Sequence, residues 1–169
     1  MSGSVLAAPA APDRSSEKDA LRRIQASVKE RLDEVSDEMA SSVLSDAPLL
    51  ARMGQHLMAM RGKMFRPTLL LLSSEVAGEP RDEAVTLAAT LELIHLATLV
   101  HDDAVDHSAL RRGMPTVNAL FSHQISVIMG DFLYSTALTH LVGLGDLEAL
   151  QALTRASTGS LSSFATNSR

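Results

Sequence analysis

Apolar residues recur every three or four positions through most of this chain, a spacing that predicts a succession of helices. Leu21, Ile24, Val28, Leu32, Val35 and Met39 form one stripe, which at 3.6 residues per turn lies along a single helix face. Ser15 and Ser16 with Glu17 can cap that helix, which is expected to run to about Ala40. A second helix is expected from Asp46-Ala47-Pro48, with proline in its first turn and Leu49, Leu50, Met53, Leu57 and Met60 as its apolar face. The loop MRGKMFRP interrupts the pattern. PTLLLLSSEVAG then reads as a helix apolar nearly all round, hence buried, and stopped by Gly78. Pro80 and Asp82 open a further helix through Leu87, Leu91, Ile94 and Leu99 into LVHDDAVDHSALRRGMPT, which Gly113 and Pro115 close. Another helix is expected over roughly Val117 to Val142, and one more from Asp146. No strand alternation, hairpin signal or internal repeat is visible, so the expected class is all-α, long buried helices joined by short loops.

Composition agrees. Aromatic residues are 3% of the chain although hydrophobic ones reach 46%, and a sheet protein leans on aromatic and β-branched residues. The 169 residues suit one domain or part of a larger one. A net charge of −5 argues against a nucleic-acid surface, which needs clustered Lys and Arg. With no cysteine, disulfides, thiolate catalysis and cysteine-based zinc sites are excluded. The uncharged stretch from Gly113 to Gly130 carries Pro115, Asn118, Ser122, His123 and Gln124, the texture of a core helix rather than a membrane span. Residues 1–16, with Pro9 and Pro12 and no basic leader, are expected to be a disordered arm rather than a signal peptide. The helical domain is expected over 17–156, and 157–169 is a Ser/Thr-rich tail without apolar period. The expected location is the cytoplasm.

The chemistry concentrates around Asp102, Asp103 and Asp106. At about 100° per residue, Asp102 and Asp106 lie some 40° apart and Asp103 about 60° from Asp106, so three carboxylates are expected within one turn. Mutual repulsion and a helix C-terminus both disfavour that placement. Accepting both penalties together points to an arriving cation. Mg²⁺ fits, because it takes one or two carboxylates plus phosphate oxygens and keeps its remaining waters. Arg111 and Arg112 supply the positive side chains a phosphate needs. The plain alternative is a solvated acidic helix end balanced by surface arginines. A second basic cluster is Arg61-Gly62-Lys63-Met64-Phe65-Arg66-Pro67, at a helix entrance where backbone N–H groups favour anions. Taken alone, such a loop most often just connects helices. His95 lies seven residues before Asp102, about 20° off its bearing; a lone histidine on an apolar helix is otherwise a hydrogen-bonded core residue.

D-D-x-x-D followed by R-R-G, preceded by G-K-x-x-R-P and ELIH and followed by MGDFLYSTA, resembles the trans-prenyltransferases, the all-α isoprenyl diphosphate synthases. The resemblance runs from about Leu21 to Ala156 and covers roughly the N-terminal half of such an enzyme. It implies an incomplete isoprenoid-synthase-type helical bundle that performs Mg²⁺-dependent head-to-tail condensation of isopentenyl diphosphate with an allylic diphosphate. Asp102, Asp103 and Asp106 match the first aspartate-rich motif, which holds Mg²⁺, and Arg111 matches the arginine on the allylic diphosphate. Gly62, Lys63, Arg66, His95 and Arg112 match the positions on the diphosphate of isopentenyl diphosphate. The residues that limit product length correspond to Ala97 and Thr98, both small, which implies a long-chain (octaprenyl or solanesyl) type. The chain departs from the family in lacking a second aspartate-rich motif: beyond Asp106 its acidic residues are Asp131, Asp146 and Glu148. Alone it is therefore expected to be inactive, with exposed apolar helix faces, and to act as a homodimer or with a second chain. Competing expectations are a non-catalytic helical binding partner and an HD-type metal phosphohydrolase built on His101-Asp102 with His56 or His95.

Overall fold

The computed structural model describes residues 14–156 apart from Ser45, Glu79 and Pro80. The proposed opening of a helix at Pro80, the tail at 157–169 and the arm up to residue 13 thus lie outside the described residues; residues 14–16 already belong to the first helix. The elements are α1 (Arg14–Gln25), α2 (Lys29–Ser42), α3 (Pro48–Ala59), α4 (Phe65–Ala77), α5 (Glu83–Val105), β1 (Leu110–Arg111), β2 (Met114–Pro115), α6 (Val117–Leu120) and α7 (His123–Leu144), followed by helical residues 147–156.

α5 is the axis of the bundle. It packs along α7 and also meets α4 and α2, so it has no solvent-facing side for most of its length. Ala88, Ala89, Leu93, Ala97 and Ala104 are almost wholly buried. Small residues let the neighbouring backbones approach closely. Gly130 on α7 shows how closely: a Cβ there would stand 2.3 Å from His101 Nε2. α5 and α7 are both long and apolar enough to cross a membrane; within this chain α5 is the buried centre of the core. Several apolar side chains remain at the surface, among them Phe65, Leu69, Ile128 and Val142.

Three local features differ from the pattern-based expectation. The helix expected as far as Ala40 is divided by a tight turn in which Val28 N–H donates to the Gln25 carbonyl at 3.2 Å. The apolar stripe is buried only from Val28 onward, through Leu32, Val35 and Met39; before the turn Leu21 is half-buried and Ile24 is exposed. The freed Gln25 side chain donates to the Lys63 carbonyl and the Thr68 hydroxyl, both at 2.9 Å, tying the turn to the entrance of α4. The helix expected over Val117–Val142 is likewise two, each started by a hydroxyl cap: Thr116 Oγ1 accepts from Ala119 N–H at 3.1 Å and Ser122 Oγ from Ile125 N–H at 3.2 Å. Finally, a small hairpin exists where none was expected. Leu110 pairs with Pro115 and Arg111 with Met114. Arg112 and Gly113 form its turn, with φ of 52° and 81°, the doubly left-handed backbone of a two-residue type I′ hairpin.

Candidate active site

α5 ends in a Schellman motif. Ser108 N–H donates to the Asp103 carbonyl at 2.9 Å and His107 N–H to the Ala104 carbonyl at 3.3 Å, with His107 at φ 51° where glycine is usual. The chain then reverses and brings the hairpin back over the last turn of α5. Thr116 is buried and donates to the Ser108 carbonyl at 2.6 Å, which closes the loop.

That reversal sorts the three aspartates. Asp103 turns inward, 5% exposed, and its two carboxylate oxygens accept from Arg111 Nε at 2.8 Å and Nη2 at 2.9 Å. This fork-to-fork geometry is the strong form of such a pair. The Asp103 hydrogen bonds raise Arg111 above its ordinary value, with Asp102 and Asp106 adding attraction. Asp102 and Asp106 stay exposed, one turn apart. The expected convergence of three carboxylates is therefore not the arrangement found; among the described residues no three metal-ligating side chains gather. Helical bearing alone could not foresee that an arginine eight residues on would claim the middle acid. His101 lies against Gly130 with Nε2 3.3 Å from Asp131 Oδ1, and His56 Nε2 meets the Pro115 carbonyl at 2.7 Å. Among the described residues neither these histidines nor His95 forms a metal-holding group with Asp102, so the HD-type arrangement is not found.

The residues of the second cluster lie together. Gly62, Lys63, Arg66, His95 and Arg112 line one cavity of about 550 Å³. Gly62 leaves the space that the end of Arg112 occupies: a Cβ would meet Arg112 Nη1 at 2.6 Å and Nη2 at 2.8 Å. The Arg112 guanidinium lies across this glycine and donates to the Met60 carbonyl at 3.2 Å. Burial, then the charges of Arg66, Arg112 and Arg111, lower His95 to about 4, so at neutral pH it offers one neutral N–H. A smaller pocket shares Gly62, Glu92, His95 and Arg112 and reaches Asp103 and Arg111. The basic cavity and the aspartate end are thus two ends of one cleft. Ala97 is buried, and Thr98 is exposed with its hydroxyl bonded to the His95 carbonyl at 2.7 Å. Glu92 escaped the sequence reading: it is buried in both cavities, and its one signal was an acid inside an otherwise apolar run one turn before His95.

Residues 47–162 match the polyprenyl synthetase family. The chain belongs to that family. This polyprenyl synthetase chain is 40% identical over 112 residues to an octaprenyl diphosphate synthase of Escherichia coli, covering 66% of this chain and 35% of that protein. It is 36% identical over 124 residues to heptaprenyl diphosphate synthase component 2 of Bacillus subtilis, covering 73% and 36% respectively. The crystal structure of a polyprenyl synthase from Caulobacter crescentus complexed with calcium and isoprenyl diphosphate superposes with a TM-score of 0.78 at 34% identity, covering 82% of this chain and 42% of that one. The polyprenyl synthetase fold therefore extends over most of the chain, which spans well under half the length of these relatives.

Proposed function

We propose that this chain supplies one wall of a prenyltransferase site that condenses isopentenyl diphosphate head-to-tail with an allylic diphosphate into a long-chain polyprenyl diphosphate. The observation that carries this reading is the divergence of two adjacent arginines. Arg111 turns to the aspartate end of the cleft and Arg112 to the Gly62–Arg66 cavity, so one hairpin serves two anion positions at once. In this reading Lys63, Arg66, His95 and Arg112 bind the isopentenyl diphosphate while Gly62 gives Arg112 room, and Arg111 serves the allylic diphosphate.

The oxygen donors present suit Mg²⁺. Asp102 and Asp106 expose carboxylates a turn apart, the one or two acids this hard ion takes alongside phosphate oxygens. Asp103 joins them only by exchanging its bonds to Arg111. Bound there, the ion supplies charge neutralisation to the departing diphosphate. The protein's own contribution is preorganised positive side chains and alignment of the two substrates. Ala97 and Thr98 are small at the positions that the resemblance assigns to product length, and the similarity to octaprenyl and heptaprenyl enzymes favours a long product. The 169 residues carry one aspartate-rich motif, so by themselves they are expected to give little or no turnover. Thermal-shift measurements with Mg²⁺ and an allylic diphosphate test the reading. Protection that needs both, and that Asp102→Ala with Asp106→Ala removes, supports it; no protection of folded protein overturns it.

A further inference from the structure

Glu92 stands out from every other polar group of the basic cavity. It is 7% exposed, lies on α5 one turn before His95, and its Oε2 is buried without a hydrogen-bond partner. The same cavity is lined by Arg61 and Lys63 from the loop, Arg66 from α4, Arg112 from the hairpin and His95 on its own helix, of which Arg66 and Arg112 attract its charge. α2 and α3 add the apolar Met39 and Leu57 to the adjoining pocket. An orphaned buried oxygen is costly, so a partner is missing from the picture.

Resting on the pocket reading above, we propose that Glu92 is a ligand-contacting donor: its carboxyl group, carrying a proton, gives that O–H to a non-bridging oxygen of the diphosphate held by Arg66, Arg112 and His95. The polar neighbours just named present N–H donors, and an alkyl diphosphate, fully ionised above neutral pH, presents only acceptors, so an ionised carboxylate would repel the ligand while the acid completes its shell. Burial already raises the carboxyl above its ordinary 4.5 against the opposing pull of Arg66 and Arg112. An anion that neutralises those arginines removes the pull, so binding and protonation favour each other.

Isothermal titration of the 169-residue chain with isopentenyl diphosphate above neutral pH, in buffers of differing ionisation enthalpy, tests this. Glu92→Gln keeps a donor at the same place and is expected to bind within about threefold of the parent but to lack its proton uptake. Glu92→Leu, with no donor, is expected to bind roughly tenfold or more weakly. Equal binding by the leucine variant, loss by glutamine as large as by leucine, or identical proton uptake in parent and glutamine variant overturns the proposal. Arg112→Ala separates the two levels. If it abolishes diphosphate binding while the Glu92 variants do nothing, the pocket stands and Glu92 does not; if the parent chain binds no diphosphate, both fall. Should the leucine variant fail to fold, the proton count in the glutamine variant still decides.

Discussion

Removing either partner of the Asp103–Arg111 pair should destabilise the fold, but unequally. The Asp103 side chain is 7% exposed and that of Arg111 31%. Arg111→Ala leaves a carboxylate sealed among the last turn of α5 and the hairpin with no counter-charge. Removing one member of a fully buried pair costs about 3–5 kcal/mol; because water reaches the arginine side of this one, about 2–3 kcal/mol is expected. Asp103→Ala leaves instead a guanidinium already a third in solvent, which rehydrates by a small movement, so the loss is about 1–2 kcal/mol. The double variant should cost less than the sum, with a coupling of about 1–2 kcal/mol. Urea unfolding followed by far-ultraviolet circular dichroism gives the four midpoints, provided the slopes agree. A larger loss for Asp103→Ala than for Arg111→Ala, or strict additivity, would refute the view that desolvation of the acid governs this contact.

Gly130→Ala gains about 1 kcal/mol of helix propensity yet drives a methyl into His101, a clash costing about 1–3 kcal/mol, so a net loss in melting temperature is expected. His101→Ala in the same chain should restore it, and a stabilised single variant contradicts the packing argument. Gly62→Ala displaces only the mobile end of Arg112; titration calorimetry should show roughly tenfold weaker diphosphate binding at nearly unchanged stability. His95, lowered from 6.5 to about 4 in the folded chain, stabilises fully above pH 6.5, and that contribution is lost as pH falls toward 4, because the unfolded chain takes up the proton first. His95→Gln should flatten the acid limb of a stability–pH curve by about 1–2 kcal/mol, and an unchanged limb would count against a buried neutral imidazole.

What the sequence could reveal was whatever depends on periodicity and adjacency. The stripe located a buried face from Val28 to Met39 but not before it: the chain turns ahead of Val28, so Ile24 keeps the spacing and is nevertheless exposed. The basic residues 62–66, taken alone, read as a loop between helices, and only the family resemblance grouped them with His95 and Arg112; that they line one cavity is decided by the fold. What failed was anything decided by a contact between distant residues. The inward turn of Asp103 depends on Arg111 folding back over α5, and the hairpin that achieves this puts arginine, not only glycine, at positive φ, which residue preference does not anticipate. Glu92 was hidden for a similar reason, since its environment is assembled from α4, the loop and the hairpin rather than from its own neighbours in sequence.

The hairpin also links the two ends of the cleft. Arg111 is anchored by two hydrogen bonds to α5 and Arg112 by one to the end of α3 and by its seat on Gly62. The type I′ turn fixes the backbone of Arg112 and Gly113, and Arg111 stands just before it in β1, paired with Met114. The hairpin thus sets the two neighbouring points from which the side chains start, and the contacts at their far ends decide where each guanidinium goes: the carboxylate of Asp103 for one, the Met60 carbonyl and the open face of Gly62 for the other.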